Sequence, residues 1–458
     1  VTSWPAPALP GPALPGPALP GPALPGPALP APALPGPALP GPALPAPALP
    51  GPAPCRAVGG RGRRRTGESG TPGTGTSTFL AFLCAAGFVV GGLEVPGLGF
   101  PVDSVATGLA VLVGLGSRPN GAPLPRWMPV LAFAGVLWIG AVSIALGSPD
   151  VRRLSHLALD AAAIVVVAAG RLDRAALGRG LAFGMVVGVA WGTVTFKEST
   201  YVNRLTGIFG DPNTAGLIIV TCAGLALPVL RRGVSKLVVA GAALAGVLLT
   251  DSRTTLLAAC AMIVWIVMAR LRFNPWIALG FLAVGTLWVV NATRQGLGAD
   301  AFAGRAGSDA LRARIDEAAL ADVESSPWFG HGAGTARAVV DGLSFFYHSS
   351  YLSVRTEGGW IAFMLVVGLL LATFAVLVRL RPRRVPLYEA SLIGIAVCAI
   401  NLGEVLMTVS SAVAVGISMQ YAAITQFPRS GPAAVPSVET QRSGGMGHDA
   451  HRSRGQQR

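Results

Sequence analysis

Apolar runs of bilayer length constrain this chain more than any other feature. A bilayer core takes about 20 apolar residues per helix, within a range near 17–25. That ruler marks runs near 77–94, 101–116, 127–147, 153–170, 176–195, 213–230, 234–250, 254–270, 275–292, 355–379, 387–406 and 409–426. Short polar connectors separate them, except for one polar interval from about Asn291 to Glu357. Only 12% of the residues are charged and mean hydropathy is +0.59, whereas a soluble domain carries about 25% charged residues. The sequence therefore predicts an all-α polytopic membrane protein with about 12 transmembrane helices. One long helical loop, about 293–354, interrupts the run of spans.

The ends of the chain are of another kind. From Ala6 to Pro50 a pentad of the type Gly-Pro-Ala-Leu-Pro repeats. Proline at two of every five positions removes backbone donors and fixes φ, so neither helix nor sheet can form, and extended disorder is expected. A basic patch follows, from Arg56 to Arg65. The chain thus divides into a Pro-rich and basic segment (1–76), a transmembrane domain (77–427) and a disordered tail (428–458). Cys55, Cys84, Cys222, Cys260 and Cys398 are scattered, with neither metal-ligand spacing nor a disulfide framework, and read as small core residues.

The net charge of +14 has a topological explanation rather than a nucleic-acid one. With a cytoplasmic N-terminus, roughly two thirds of the basic residues fall in cytoplasmic segments, as the positive-inside bias requires. Both termini are then cytoplasmic and the long loop faces the extracytoplasmic side of a bacterial cytoplasmic membrane. Arg152-Arg153 is the one pair that sits awkwardly outside. On that face no ATP or nucleotide-sugar is available.

Three polar stretches fall on the outer side. The first, Tyr201 to Asn213, contains Arg204, the turn residues Gly207, Gly210 and Asp211-Pro212, and Asn213 or Thr214 as the cap of the next helix. An arginine beside a helix N-terminus is a ready anion site; equally, this is a capped re-entry loop with a snorkelling arginine. The second, Thr250 to Thr255, places Arg253 at the start of a membrane helix, as an anion ligand or as an ion-pair partner of Asp251. In the third, Ser308 to Ser325 has helical periodicity, with Leu311, Ile315, Ala318 and Ala319 on one side. Arg312 and Asp316 are spaced to pair along that helix. His331, among glycines, reads as a turn residue. His348 lies between Tyr347 and Tyr351 immediately before an apolar run, where partial desolvation favours a neutral, proton-accepting imidazole; the alternative is a packing histidine. Asp160, Asn401 and Glu404 fall inside apolar runs, where polar groups mark pathways or helix–helix hydrogen bonds.

Taken in order, Arg204-Leu-Thr-Gly-Ile-Phe-Gly-Asp-Pro-Asn213, Ser252-Arg253 opening a helix, Arg312 eight residues before Leu320, Pro327-Trp-Phe-Gly-His-Gly332, and His348-Ser-Ser-Tyr-Leu352 with Glu357-Gly beyond resemble the O-antigen ligase/polymerase family. The likeness spans about Tyr201 to Gly359. Ser349 stands where that family commonly has asparagine, and Asp316 stands near the place of a common aromatic residue. The resemblance implies a dozen-helix architecture. It also implies a metal-free, cofactor-free, inverting transfer of a glycan from an undecaprenyl-diphosphate carrier to a glycan or lipid acceptor. By the same resemblance Arg204 and Arg253 bear on the diphosphate and His348 on the acceptor hydroxyl. Arg312, Asn213 and Tyr351 complete the substrate contacts. Guanidinium forks match phosphate oxygens, and no Asp-x-Asp metal signature occurs in the outer stretches. The competing reading is a secondary transporter or lipid-linked glycan flippase, in which Asp160 and Glu404 carry the function.

Overall fold

The computed structural model describes residues 75–427, apart from 98, 120–122, 148, 200, 202 and 296–305; for 75–76 and 306–309 it describes the backbone alone. The Pro-rich repeat, its basic patch and the tail 428–458 lie outside the described residues. Thirteen α-helices are present among them: α1 (Gly75–Gly87), α2 (Val102–Gly116), α3 (Trp127–Ala145), α4 (Val151–Ala168), α5 (Arg174–Val194), α6 (Pro212–Ala226), α7 (Gly233–Thr250), α8 (Arg253–Arg270), α9 (Pro275–Arg294), α10 (Ala306–Ser325), α11 (Ser350–Val378), α12 (Pro386–Asn401) and α13 (Val409–Gln426). Every apolar run of the sequence carries one of them, and α10 lies in the polar interval. Six helices, α3, α5, α7, α8, α9 and α11, are long and apolar enough to cross a membrane by length and composition.

Helix starts follow from the sequence. A first-turn N–H without a partner is costly anywhere and costliest in lipid. Asp150, Asp173, Asp211, Ser252 and Asn274 each accept a first-turn N–H, at α4, α5, α6, α8 and α9. At α6 the cap is Asp211, not Asn213 or Thr214. Proline at the first helical position has no N–H to satisfy and a preset φ, so Asp211-Pro212 starts the helix two residues earlier and leaves the Asn213 side chain for other work. Packing joins α1 to α5, α3 to α11, α4 to α13 and α8 to α12, while α6 touches α5, α7 and α12.

The polar interval has a core of its own. Ile315 and Ala319 of α10 pack on Ala336, Ala338, Val340 and Tyr347. Four of these belong to, or adjoin, a hairpin of β1 (Arg337–Val340) and β2 (Leu343–Phe346), in the register Arg337↔Phe346 and Val340↔Leu343. An otherwise all-α reading missed this element. Its signal is the two-residue connection Asp341-Gly342, with φ of 53° and 77°; both central positions of such a hairpin turn need positive φ, which Asp-Gly tolerates.

α11 also differs from expectation. It begins at Ser350 rather than 355, so Arg355 and Glu357 lie inside a helix and are buried rather than closing a loop. The helix breaks at Gly359 (φ 66°, ψ −162°), a conformation essentially restricted to glycine.

Candidate active site

The break in α11 organises the site. It frees the carbonyls of Thr356 and Glu357, which accept from the N–H groups of His331 (2.8 Å) and Gly332 (2.9 Å). Trp360 N–H returns a bond to the Trp328 carbonyl (2.8 Å), and the Trp138 indole N–H donates to the Gly358 carbonyl (2.9 Å). Arg355 completes the seal: its guanidinium donates to the carbonyls of Pro327 and Ser326 and lies 5.0 Å from the centre of the Trp360 ring. The glycine turn is thus a docked element of the helix break. His331, expected as a turn residue, is held there through its backbone, with Ser326 Oγ 3.3 Å from Nδ1.

One sequence-predicted arginine, Arg204, is tied to the α7–α8 junction, the turn from which the other, Arg253, emerges. Arg204 Nε donates to the Thr250 carbonyl (2.9 Å), and its Nη2 reaches Asn213 Oδ1 (3.4 Å). Ser252 Oγ donates to the same Asn213 oxygen (2.9 Å) while accepting from Thr255 N–H. Leu205 N–H donates to the Leu249 carbonyl (2.8 Å), pinning the Arg204 loop to the end of α7. Arg253, half-buried, is the first residue of α8, directly after Ser252. Arg204, Asn213 and the turn that carries Arg253 are therefore one assembly built on two helix N-termini, where backbone N–H groups and guanidinium charge both favour an anion.

His348 sits between β2 and α11. On one side of it Tyr347 is buried, its hydroxyl bonded to the Asp322 carboxylate of α10. On the other, Ser350 Oγ donates to the carbonyls of Leu402 and Gly403 and accepts from Val405 N–H (2.6 Å). The histidine is held by its neighbours in a half-buried position. Burial pushes the imidazole below its ordinary pKa; positive Arg312 adds to that effect, and Asp316 opposes it. Asp316 does not simply pair with Arg312 along α10: its carboxylate also meets Arg294 at 3.4 Å. Tyr351 donates its hydroxyl to the Ala396 carbonyl of α12 (2.9 Å), a helix–helix bond.

The structure adds a third group that the sequence reading left scattered. Arg153 of α4 lies 3.3 Å from Glu357 and 3.3 Å from Glu404, with its side chain 13% exposed. Glu357 also accepts from Gly334 N–H (2.9 Å). This cluster lines a cavity of about 430 Å³ together with Asp103, His156, Asp160, Arg337 and Phe346, within the size range of small-molecule sites. The awkward outer pair Arg152-Arg153 and the acid Glu404 inside an apolar run were the available signals, since opposite charges stranded in one membrane domain tend to pair.

Comparison with known proteins bears on this arrangement. Residues 238–367 match the family model described as O-antigen ligase. The resemblance drawn from the ordered motifs is supported. The matched segment takes in Arg253, α10, the hairpin, His348 and the break in α11; Arg204, Asn213 and Arg153 precede it. No curated protein matches the chain. Apolar helices and this match together point to a multi-pass bacterial membrane protein with a glycosyltransferase-like activity, acting on a lipid-linked glycan donor and an acceptor in the membrane.

Proposed function

We propose that the protein transfers or polymerises a glycan from an undecaprenyl-diphosphate carrier onto an acceptor hydroxyl at the extracytoplasmic face of the bacterial cytoplasmic membrane. In this reading all twelve apolar helices cross the membrane, both termini are cytoplasmic, and 77–427 is the catalytic domain with its loop at about 293–354. The observation that carries the reading is the meeting of Arg204, Asn213 and the Arg253 turn at two helix N-termini, in a chain whose following segment matches the ligase family.

The chemistry is a single displacement. The acceptor oxygen attacks the anomeric carbon of the donor sugar; the new C–O bond forms as the bond from that carbon to the diphosphate oxygen breaks, with inversion. The acceptor proton passes to the neutral imidazole of His348, help typically worth ~10²–10⁴-fold. The diphosphate leaves with the bonding electrons, and Arg204 and Arg253 stabilise its charge, so no metal is required. Burial, and after it the charge of Arg312, favour the neutral imidazole, and Asn213 orients Arg204. Tyr351 holds α11 against α12 beneath the acceptor.

Transfer from a synthetic undecaprenyl-diphosphate glycan by the purified chain, read by mass spectrometry, tests the reading. Product is expected with the wild-type protein and a loss of ~10²-fold or more with Arg253→Ala or His348→Ala; unchanged product with both variants rejects it. A secondary transporter or flippase is the second reading, favoured by Asp160, buried inside α4. It requires glycan movement across the membrane that fails with Asp160→Asn and survives His348→Ala.

A further inference from the structure

The diphosphate and the general base account for two of the three polar groups on this side of the molecule, and leave the cavity around Arg153 without a role. Its lining argues against a second anion site. Asp103, Asp150, Asp160, Glu357 and Glu404 outnumber the arginines around it, and Arg153 is already committed to Glu357 and Glu404. A phosphate, diphosphate or uronate entering here would meet more carboxylates than guanidinium groups in a partly desolvated space. A cation cage fits no better, because no three metal-ligating side chains among the described residues converge on a common point.

Two groups facing the cavity are left over by the fold. Asp160 is 9% exposed, and its carboxylate has no hydrogen-bond partner among the described residues, although charges act on it from Asp103, Arg153 and Glu404. Asp160 also borders a smaller, mostly apolar cavity of about 70 Å³. His156 also lines the cavity, and its buried Nε2 has no hydrogen-bond partner among the described residues. Buried polar groups are nearly always hydrogen-bonded in folded proteins, and an exception calls for an explanation such as a ligand. A carboxylate and an imidazole that lack partners suit a molecule rich in hydroxyls, since each hydroxyl can donate to one group and accept from another. At the edge of the same cavity Phe346 carries Arg337 stacked at 4.4 Å from its ring centre, an aromatic face on the strand that leads directly to His348.

We propose that the cavity between Arg153, Asp160, Glu357 and Phe346 is a saccharide subsite that takes an uncharged, hydroxyl-rich sugar, the unit that presents the acceptor hydroxyl to His348. The assignment of this sugar as acceptor rests on the transfer reading above; the binding itself does not. Glu357, fixed by Arg153 and by Gly334 N–H, holds the cavity wall in place, and Asp160, with both oxygens available, accepts from the sugar hydroxyls. The apolar edge with Phe346 receives a sugar face. The negative lining excludes acidic sugars and keeps the carrier diphosphate on the Arg204–Arg253 side.

The test uses the full chain in lipid nanodiscs and saturation-transfer NMR with methyl glycosides of glucose, galactose, mannose, rhamnose and N-acetylglucosamine, with methyl glucuronide as the charged counterpart. At least one neutral glycoside is expected to bind, the glucuronide at least tenfold more weakly, and Asp160→Asn to weaken the neutral binding at least tenfold. Because Asp160 has no partner to lose, this variant is expected to unfold at the same temperature as the wild type or higher. Should it fail to fold, His156→Gln supplies the same comparison. Binding of no neutral glycoside, equal binding of the glucuronide, or undiminished binding by the variant overturns the proposal. The two readings separate cleanly: Asp160-dependent binding without any transfer from the lipid-linked donor removes the enzyme reading and keeps the subsite, whereas transfer without such binding does the reverse.

Discussion

Two buried carboxylates, Glu389 and Asp160, differ in everything except their burial. Glu389, fully buried at the start of α12, has both oxygens occupied: Arg384 Nε at 2.9 Å and Nη2 at 2.5 Å, and the indole N–H of Trp265 on α8 at 3.0 Å. Asp160 on α4 has no hydrogen-bond partner among the described residues and borders a cavity. A buried charge that is fully satisfied serves the fold, here by tying α12 to α8. One left unsatisfied beside open space is a cost that the fold bears for another purpose. The contrast separates a structural charge from a functional one where sequence marks both merely as acids in apolar runs.

The sharpest way to break this comparison is to neutralise each acid in turn. Glu389→Gln leaves Arg384 without its counter-charge in a buried setting, and removing one partner of such a pair costs roughly 3–5 kcal/mol. The expected result is a large fall in unfolding temperature in detergent, set against no fall with Asp160→Asn. Equal losses would erase the distinction.

Gly359→Ala comes next. Its φ and ψ exclude a side chain, and an added Cβ would collide with the Trp328 carbonyl. A strained residue of this kind costs on the order of 1–3 kcal/mol before any clash. Here the effect should be local: limited proteolysis is expected to cut faster between α10 and α11, while α8 and α12 stay protected by the Glu389 cluster.

A smaller effect concerns proton uptake at His348. Burial and Arg312 lower its pKa, so the imidazole remains neutral, and able to accept a proton, down to a pH below the ordinary value of about 6.5. The acidic limb of the transfer rate should therefore lie below that value. Arg312→Gln removes a lowering influence and should shift the limb upward; Asp316→Asn removes a raising one and should shift it downward. Shifts in the same direction would contradict the geometry. Smallest is Trp138→Phe, which removes the indole bond to Gly358 and should lower stability by about 1 kcal/mol.

Much of the fold was legible because hydrophobic runs of bilayer length leave the backbone few options. The twelve apolar runs each became a helix, and Arg204, Asn213 and Arg253 could be singled out because turn residues and caps are local signals. What was not legible depends on long-range pairing. Arg153 meets Glu357 across 204 positions of chain, and no local pattern announces such a partner. Glu357 stands in the sequence where the polar interval ends and an apolar run begins; its burial required an arginine from another helix. The hairpin was passed over although Asp341-Gly342 is a strong turn signal, since a single short ribbon leaves little trace beside α10. His348 was found by its place between aromatic residues, and its dependence on Arg312 emerged only when α10 was seen to lie against the hairpin.

In the proposed reaction the arginine assembly and His348 together move a glycan. The direct measurement is single-turnover transfer from a synthetic undecaprenyl-diphosphate glycan by the reconstituted chain, comparing the wild type with His348→Ala and Arg253→Ala under matched folding controls. Inverted product is expected from the wild type, with a rate at least ~10²-fold lower in each variant. Equal rates in all three proteins would contradict it.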